Sequence, residues 1–316
     1  MPVATILSGL RTAIAVSLVP ASVVCGVWAA LWAMNSGIDP VMVVFPISMA
    51  SLVLIIVMER VLPYRREWNH SHGDLRTDAL YYLTQFFVGG LLTPVLAALT
   101  VIIGGWLSAQ MGGSLWPYGW PILAQVLLAT VVREFFDYWA HRSMHEFDWL
   151  WRFHATHHSA PRVYWLNATR AHPVEIAYRF SFVWVLPLAV LGVPTQVLAL
   201  ATVAAVVVDA FQHANIAIRL GPLSWIFSIG NLHRWHHSRV RRESDANYGN
   251  AYIIWDVVFG TRFLPKDREP PGDVGIGGMD AFPTGFFAQW WSPFRWAQIR
   301  RDSLVKKGVL TVSNKP

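Results

Sequence analysis

Cysteine, charged residues and nucleotide-binding fingerprints are scarce or absent in this chain of 316 residues. Cys25 is the single cysteine, which excludes an intrachain disulfide and an iron–sulfur cluster held by cysteines. Charged residues make up only 14% of the chain and hydrophobic residues 54%, a balance that is unusual for a soluble domain. No flavin or nicotinamide fingerprint and no appended haem domain is present, so electrons for a redox reaction must come from a separate carrier. These absences predict a membrane protein whose polar site is built without thiolates.

Long apolar runs account for the low charge. A spanning helix needs about 20 apolar residues, and we predict four spans, at residues 13–34, 41–58, 80–107 and 120–132. The last of these continues as a helix that carries polar residues out of the membrane. A further apolar stretch, 176–212, is interrupted by proline and glycine and is predicted to form a helical hairpin.

The distribution of arginine sets the orientation. The loops at 35–40 and 108–118 contain no Lys or Arg, whereas those at 59–76 and 142–170 are rich in Arg, which predicts that the latter are cytoplasmic. The net charge of +6 does not indicate nucleic-acid binding, because the basic residues flank apolar runs. The fold class predicted is all-α: a polytopic membrane helical bundle with a cytoplasmic, histidine-rich helical cap. The aromatic segment 282–296 is expected to lie in the membrane interface.

Histidines are concentrated in the second half of the chain. Of the 12 histidines, ten lie between positions 141 and 237, and eight of these form three clusters: His141 and His145; His154, His157 and His158; His233, His236 and His237. Residues three and four apart share one face of a helix, so each cluster can direct several imidazoles at one point. Single histidines, His172 and His213, lie between the clusters. A metal centre fed from several segments is the economical interpretation.

Eight imidazoles exceed the four ligands of one structural zinc site, so a dinuclear centre fits the count better. Imidazole binds zinc, copper, iron and nickel alike, and ligand type alone does not choose between them. A site at the cytoplasmic face of an apolar bundle favours iron and the oxidation of a lipid, whereas zinc would imply hydrolysis. Asp137, four residues before His141, is a candidate for holding an imidazole in its ligand tautomer.

The three clusters and their flanking segments FHATHHS, ATRAHPVE and NYGNAYIIWDVVFGTRF resemble the fatty acid hydroxylase and sterol desaturase superfamily of membrane di-iron oxygenases. The resemblance covers roughly residues 125–265. It implies that the eight clustered histidines are iron ligands, with His172 and His213 as further candidates. It also places Asn247 and Tyr248 near the site. The chain is then divided into N-terminal transmembrane helices (1–124), a di-iron catalytic domain that includes the hairpin (125–265) and a cytoplasmic or interfacial tail (266–316).

The resemblance further implies two iron ions, dioxygen as co-substrate and an external electron donor of the ferredoxin or cytochrome type. The expected reaction is hydroxylation or desaturation of a lipid from the bilayer, with ornithine lipid as one candidate and the bacterial inner membrane as the expected location. The basic residues Arg234, Arg239, Arg241 and Arg242 would suit an acidic electron carrier or anionic headgroups. Two alternatives from other classes stay open: a zinc-dependent membrane hydrolase, and a metal transporter with a cytoplasmic histidine cluster.

Overall fold

The structure is a computed structural model that describes residues 3–113, 115–183 and 191–309. Throughout these residues the regular structure is helical, with isolated bridges in place of strands. The predicted all-α fold is therefore confirmed. The long helices form one bundle, and short helices form a cap at one of its ends.

Three long apolar helices begin the chain: α1 (Val3–Asn35), α2 (Pro40–Val61) and α3 (Leu75–Met111). They contain the predicted spans 13–34, 41–58 and 80–107, and each holds a stretch apolar and long enough to cross a membrane. The sequence NSGIDP makes the tight connection between α1 and α2. Gly37 adopts a φ of 90°, a conformation that favours glycine. The Asp39 carboxylate accepts a hydrogen bond from the Val41 amide at 2.8 Å and so caps α2, whose first residue is Pro40.

Helix α4 (Ile122–Glu146) contains most of the predicted span 120–132 but is not among the candidate membrane spans of the described residues. Its apolar part ends at Val132, and eleven residues extend only about 16 Å, roughly half of the 30 Å hydrocarbon core of a bilayer. Below that point the helix buries Arg133 and Glu134, whose side chains form an ion pair at 2.8 Å. These charges are held inside the protein, so the helix serves to carry His141 and His145 to the cap.

The fourth candidate span is instead α7 (Thr195–Gln212), at the end of the predicted hairpin 176–212. In its most apolar stretch 61% of the residues are buried, against 6% in α3, so α7 is the centre of the bundle and α3 lies at its edge. It packs against α1, α2 and α4 through small and β-branched side chains. The first arm of the hairpin overlaps α6 (Pro173–Phe180), and residues 184–190 between the arms lie outside the described part of the chain.

The cap forms where α2, α4 and α7 end and α3 begins. Its main helices are α5 (Asp148–His158), α6 and α8 (Gly230–His236), followed by α9 (Arg241–Ser244), α10 (Ile254–Val258), α11 (Phe286–Trp290) and α12 (Trp296–Lys306). The buried Glu59 carboxylate, in the last turn of α2, accepts hydrogen bonds from the amides of Trp165 and Asn215 at 2.9 Å each, which ties the cap to the bundle.

The segment after residue 266, predicted as a tail, packs into this cap. Ile276 and Trp296 share a buried cluster with Ala155 of α5. In the aromatic segment 282–296, Phe287 and Phe294 remain about 70% exposed, as an interfacial surface requires.

Candidate metal centre

Nine buried histidines form two adjacent groups, and each group brings one ring nitrogen per residue to within 4.8 Å of the others. We call them the five-histidine group and the four-histidine group. The first contains His141, His145, His154, His158 and His236, and the second contains His157, His213, His233 and His237.

Each H-x-x-H-H motif is divided between the two groups. On α5, His154 and His158 are one helical turn apart and enter the five-histidine group, while His157 points to the other group. On α8 the division is reversed, with His236 in the five-histidine group. The groups are neighbours, since the rings of His158 and His237 stack with centroids 4.6 Å apart. The motif is therefore suited to building two metal sites side by side.

The ring nitrogens converge in a way that fits metal ions. Nε2 atoms of neighbouring rings lie 2.8–3.3 Å apart in the pairs His141–His154, His154–His158, His157–His213, His213–His233 and His233–His237. Two imidazole nitrogens bound to one metal at about 2.0–2.1 Å are separated by roughly 2.8–3.4 Å at right to tetrahedral angles. Nε2 of His145 and of His236 is buried with no hydrogen-bond partner. Buried polar atoms rarely stay unpaired, so these atoms indicate metal ligands.

Two carboxyl side chains lie within hydrogen-bond distance of Nδ1 atoms in the five-histidine group. Nδ1 of His154 lies 2.8 Å from Oε1 of Glu175, and Nδ1 of His145 lies 3.2 Å from Oδ1 of Asp245. The Nδ1 atoms of His141 and His236 donate to backbone carbonyls, those of Tyr248 at 2.8 Å and Ala246 at 2.7 Å. A proton held on Nδ1 leaves the Nε2 lone pair free, which is the tautomer that a metal requires.

The four-histidine group is supported by neutral oxygens. Nδ1 of His213 lies 2.8 Å from the side-chain oxygen of Asn167, and Nδ1 of His157 lies 3.1 Å from the carbonyl of Arg170. Both oxygens belong to the segment between α5 and α6. Nδ1 of His233 and of His237 has no partner among the described residues.

Burial keeps all nine imidazoles neutral. None is more than 8% exposed. Burial, reinforced by electrostatic effects from other histidines or nearby arginines, lowers each of their pKa values, to about 3 for His213 and His236. Burial also raises the pKa of Glu175 to about 8, against the opposing influence of Arg179 and His172. Neutral imidazole is the form that binds metals.

Comparisons with known proteins show the family of the chain. The model of the fatty acid hydroxylase family matches residues 126–261, which include every histidine of both groups. The ornithine lipid hydroxylase OlsE of Rhizobium tropici is 35% identical over 305 residues, which cover 95% of this chain and 89% of the relative. The chain belongs to the fatty acid hydroxylase superfamily.

Other relatives match a smaller part of the chain. The alkylglycerol monooxygenase of Xenopus tropicalis is 35% identical over 136 residues, covering 43% of this chain and 30% of the relative. The very-long-chain aldehyde decarbonylase GL1-11 of Oryza sativa subsp. indica is 30% identical over 148 residues, covering 46% of this chain and 54% of the relative. No solved structure matches the chain significantly.

Among the ten histidines predicted as ligands, the structure leaves His172 outside both groups. Its Nδ1 accepts a hydrogen bond from the Val174 amide at 3.1 Å, and its Nε2 lies 3.2 Å from the carbonyl oxygen of Trp290. With both ring nitrogens occupied, His172 caps the first turn of α6. It thereby helps to position Glu175, one turn further along.

Asp137 does not contact a histidine, contrary to the expectation from its spacing. Its Oδ1 accepts a hydrogen bond from Nη2 of Arg179 at 2.6 Å, because that face of α4 packs against α6. His141 is held instead by the carbonyl of Tyr248.

Asn247 and Tyr248 build the turn that follows α9. Asn247 has a φ of 56°, a left-handed conformation that asparagine tolerates, and its side chain donates to the carbonyls of Leu232 and Phe263. The Tyr248 ring packs against His145 with centroids 5.2 Å apart. Both residues position the site, and neither side chain offers the five-histidine group a ligand in this arrangement.

Sequence reasoning missed the support behind the four-histidine group. Arg162 pairs with Asp74 and Arg170 pairs with Asp78, in both cases with a contact of 2.6 Å and with both partners buried. Tyr164 also donates to Asp78 at 2.8 Å. These pairs fix the segment between α5 and α6 to the start of α3, and so hold the oxygens of Asn167 and Arg170 in place. The polar side chains of Arg162, Tyr164, Asn167 and Arg170 in the otherwise largely apolar segment RVYWLNATR were the available signal.

A cavity of about 390 Å³ reaches the five-histidine group. The buried His145 and His158 line it, as does Asp245, whose side chain is 34% exposed. Its walls carry side chains of both charge signs, among them Glu146, Arg239, Arg241 and Arg300, together with apolar Ile276, Trp296 and Leu304. The cavity gives a polar or amphipathic molecule access to this group.

Proposed function

We propose that this member of the superfamily is a di-iron oxygenase that hydroxylates a membrane lipid. The observation that carries the proposal is the pair of buried histidine groups whose unprotonated nitrogens converge. We assign all nine histidines as iron ligands and leave His172 out of the set.

Iron is favoured over zinc because the named relatives are hydroxylases and monooxygenases. Zinc has no redox chemistry, whereas iron bound by imidazole can supply it. When bound, the two irons would supply the oxidising power for a reaction in which a C–H bond and dioxygen, with two electrons and two protons, give an alcohol and water. Removal of a second hydrogen in place of oxygen insertion would give a double bond, so desaturation is the alternative outcome.

The chain's own residues prepare the site for this chemistry. Glu175 and Asp245 hold two imidazoles in their ligand tautomer and raise the basicity of those ligands. The buried ion pairs of Arg162 and Arg170 hold the segment whose oxygens contact the four-histidine group. Each of the nine histidines is at most 8% exposed, so bulk water has little access to the rings.

Ornithine lipid is the substrate that the comparison favours, because the relative named for it matches 95% of this chain. The cavity at His145 and His158 carries both charge signs, as an amphipathic lipid with a charged headgroup requires. The exposed apolar faces of α1, α2 and α3, including Trp28, Phe45 and Phe86, provide the surface that contacts lipid chains.

We place the centre on the cytoplasmic side of a bacterial inner membrane. The cap carries the arginine-rich loops, and the connection between α1 and α2, at the opposite end, has neither Lys nor Arg. Electrons would come from a ferredoxin or cytochrome. The exposed Arg241 and half-exposed Arg239, at the mouth of the cavity, would attract an acidic carrier.

The test is turnover by the purified, iron-loaded protein with ornithine lipid, a ferredoxin with its reductase, and isotopically labelled dioxygen. We expect mass spectrometry to show a lipid that has gained one labelled oxygen atom. The His236→Ala variant, in the same detergent and with the same lipid, is the control and should give no product. Unchanged ornithine lipid, with product formed from a different lipid in a total membrane extract, would reject this substrate and retain the oxygenase.

A further inference from the structure

A second cavity, of about 1430 Å³, lies on the other side of α8 from the histidine groups. Its walls are the segment after α2 (64–67), the segment after α7 (217–225) and the loop 262–270. None of the nine histidines is among the residues that line it. It is therefore distinct from the cavity that reaches the five-histidine group.

A buried arginine in the wall lacks a counter-ion. Arg234 is 2% exposed, and among the described residues no carboxylate lies within ion-pair distance of it. Its Nη2 donates to the carbonyls of Ala214 and Ile216 at 2.8 and 2.9 Å, while its Nε is buried without a partner. Its guanidinium also lies 3.8 Å from the centre of the Tyr64 ring.

This guanidinium remains charged at neutral pH, although burial lowers the pKa of Arg234 to about 10. A buried charge without a paired opposite charge is unfavourable. Neutral carbonyls and an aromatic face offset only part of that cost. An anion that enters the cavity would complete the pairing.

The cavity as a whole is positively charged. Seven basic residues line it, against three acidic ones; the basic residues are Arg65, Arg66, Arg219, Arg234, Arg262, Lys266 and Arg268. Arg268 is paired with Glu243 and Arg65 with Glu67, but the exposed Arg66 and Lys266 form no ion pair within the described part of the chain.

The cavity begins just beyond the ends of two candidate membrane spans. Its wall at Tyr64 begins three residues after the end of α2, and its wall at Ala217 begins five residues after the end of α7, both candidate membrane spans. Trp225 is 58% exposed at its edge, with the guanidinium of Arg262 3.9 Å from the ring centre. An exposed tryptophan beside basic residues is typical of the membrane interface.

We propose that this cavity binds the anionic headgroup of a membrane phospholipid, with its phosphate facing Arg234 and the rim residues Arg66 and Lys266. The site would anchor the cap against the membrane on the far side of α8 from the metal centre. It is independent of turnover and of the metal that the histidines bind.

The experiment is native mass spectrometry of the full-length protein in detergent, titrated with phosphatidylglycerol, phosphatidylcholine or inorganic phosphate. We expect phosphatidylglycerol to bind most tightly. In the Arg66→Gln/Lys266→Gln variant its affinity should fall about tenfold or more, because each basic residue near a headgroup contributes roughly fivefold. The matched control is Arg76→Gln/Arg301→Gln, which removes two exposed positive charges outside the cavity and should leave the affinity unchanged. Arg234→Gln should weaken binding further, and the rim variant keeps the test valid if that protein does not fold.

Several results would overturn the proposal. Equal affinity of the rim variant and the wild type for phosphatidylglycerol is one, and equally tight phosphatidylcholine is another. Inorganic phosphate that binds as tightly as the lipid would identify a free anion as the ligand. Unchanged lipid binding with weakened binding of an acidic ferredoxin would assign the cavity to a protein partner. Because none of these measurements needs catalysis, failure of the proposed hydroxylase activity would leave their outcome unaffected.

Discussion

The five-histidine and four-histidine groups both consist of imidazole side chains. They differ in the oxygen atoms that lie next to the Nδ1 atoms and in whether a cavity reaches them. In the five-histidine group, Glu175 and Asp245 lie next to the Nδ1 atoms of His154 and His145, and a cavity is lined by His145 and His158. In the four-histidine group, the oxygens next to Nδ1 are those of the Asn167 side chain and the Arg170 carbonyl. None of its members lines either of the two cavities described above. Two sites built from the same motif can therefore have different roles. We expect substrate to approach the first, while the second stays enclosed.

Removing a ligand from either group should have the largest effect. His236→Ala in the five-histidine group and His237→Ala in the four-histidine group should each abolish turnover and lose about one iron per chain, because nitrogen ligands hold each site. Iron content by elemental analysis and product formation by mass spectrometry are the measurements. His70→Ala, at an exposed position of the connection between α2 and α3, should retain both. Full iron content and turnover in both ligand variants would remove the basis for two sites.

The next largest effect is expected at the buried ion pairs next to the four-histidine group. Arg170→Gln leaves the Asp78 carboxylate buried without its partner, which should lower the free energy of unfolding by about 3–5 kcal/mol. Thermal unfolding in detergent measures the change. Arg76→Gln, an exposed arginine on the same turn of α3, should have little effect. The double variant Asp78→Asn/Arg170→Gln should be more stable than Arg170→Gln; if it is not, the pairing does not explain the loss.

The carboxylate behind His154 should tune metal affinity without controlling the fold. Glu175→Gln keeps the shape of the side chain but replaces a carboxyl group, which a bound cation can hold ionised, with an amide that cannot ionise. Iron affinity should therefore fall about 10- to 100-fold, the range found for groups that hydrogen-bond to metal ligands. Chelator competition followed by spectroscopy gives the affinity of each site. The loss should be confined to one of the two irons, whereas Asn167→Ala should weaken the other. A uniform loss at both sites in either variant would argue against separate supports.

The smallest effect is expected at the cavity. Leu304→Trp places a large ring in the wall of the cavity that leads to His145 and His158, and should lower kcat/KM several-fold with iron content unchanged. Ala297→Trp, on the exposed side of the same helix α12, serves as the control. Unaltered kinetics in Leu304→Trp would mean that substrate reaches the centre by another route.

Helical spacing and apolar runs in the sequence were enough to predict several elements of this structure. His141 and His145 are four residues apart, and the structure puts both in one group on α4. The apolar runs that became α1, α2 and α3 were equally clear. The apolar run at 120–132 was misleading, because the apolar part of α4 is short and the charged residues that follow it, Arg133 and Glu134, form a buried ion pair.

Contacts between distant segments could not be predicted in the same way. The division of each H-x-x-H-H motif between two groups depends on how α5 and α8 cross, which local spacing does not encode. Asp137 has the spacing for a contact with His141, yet the guanidinium of Arg179 from α6 occupies it. His172 precedes Pro173 at the start of a helix, a position that favours a cap over a ligand.

The central claim is that the nine histidines hold two iron ions at unequal sites. The most direct test is elemental analysis of the iron-reconstituted, detergent-purified protein together with Mössbauer spectroscopy. We expect about two irons per chain, giving two resolved signals of equal intensity, of which only one changes in Glu175→Gln. Zinc in place of iron, with no response to dioxygen and reductant after reconstitution, would contradict the account and direct attention to hydrolysis.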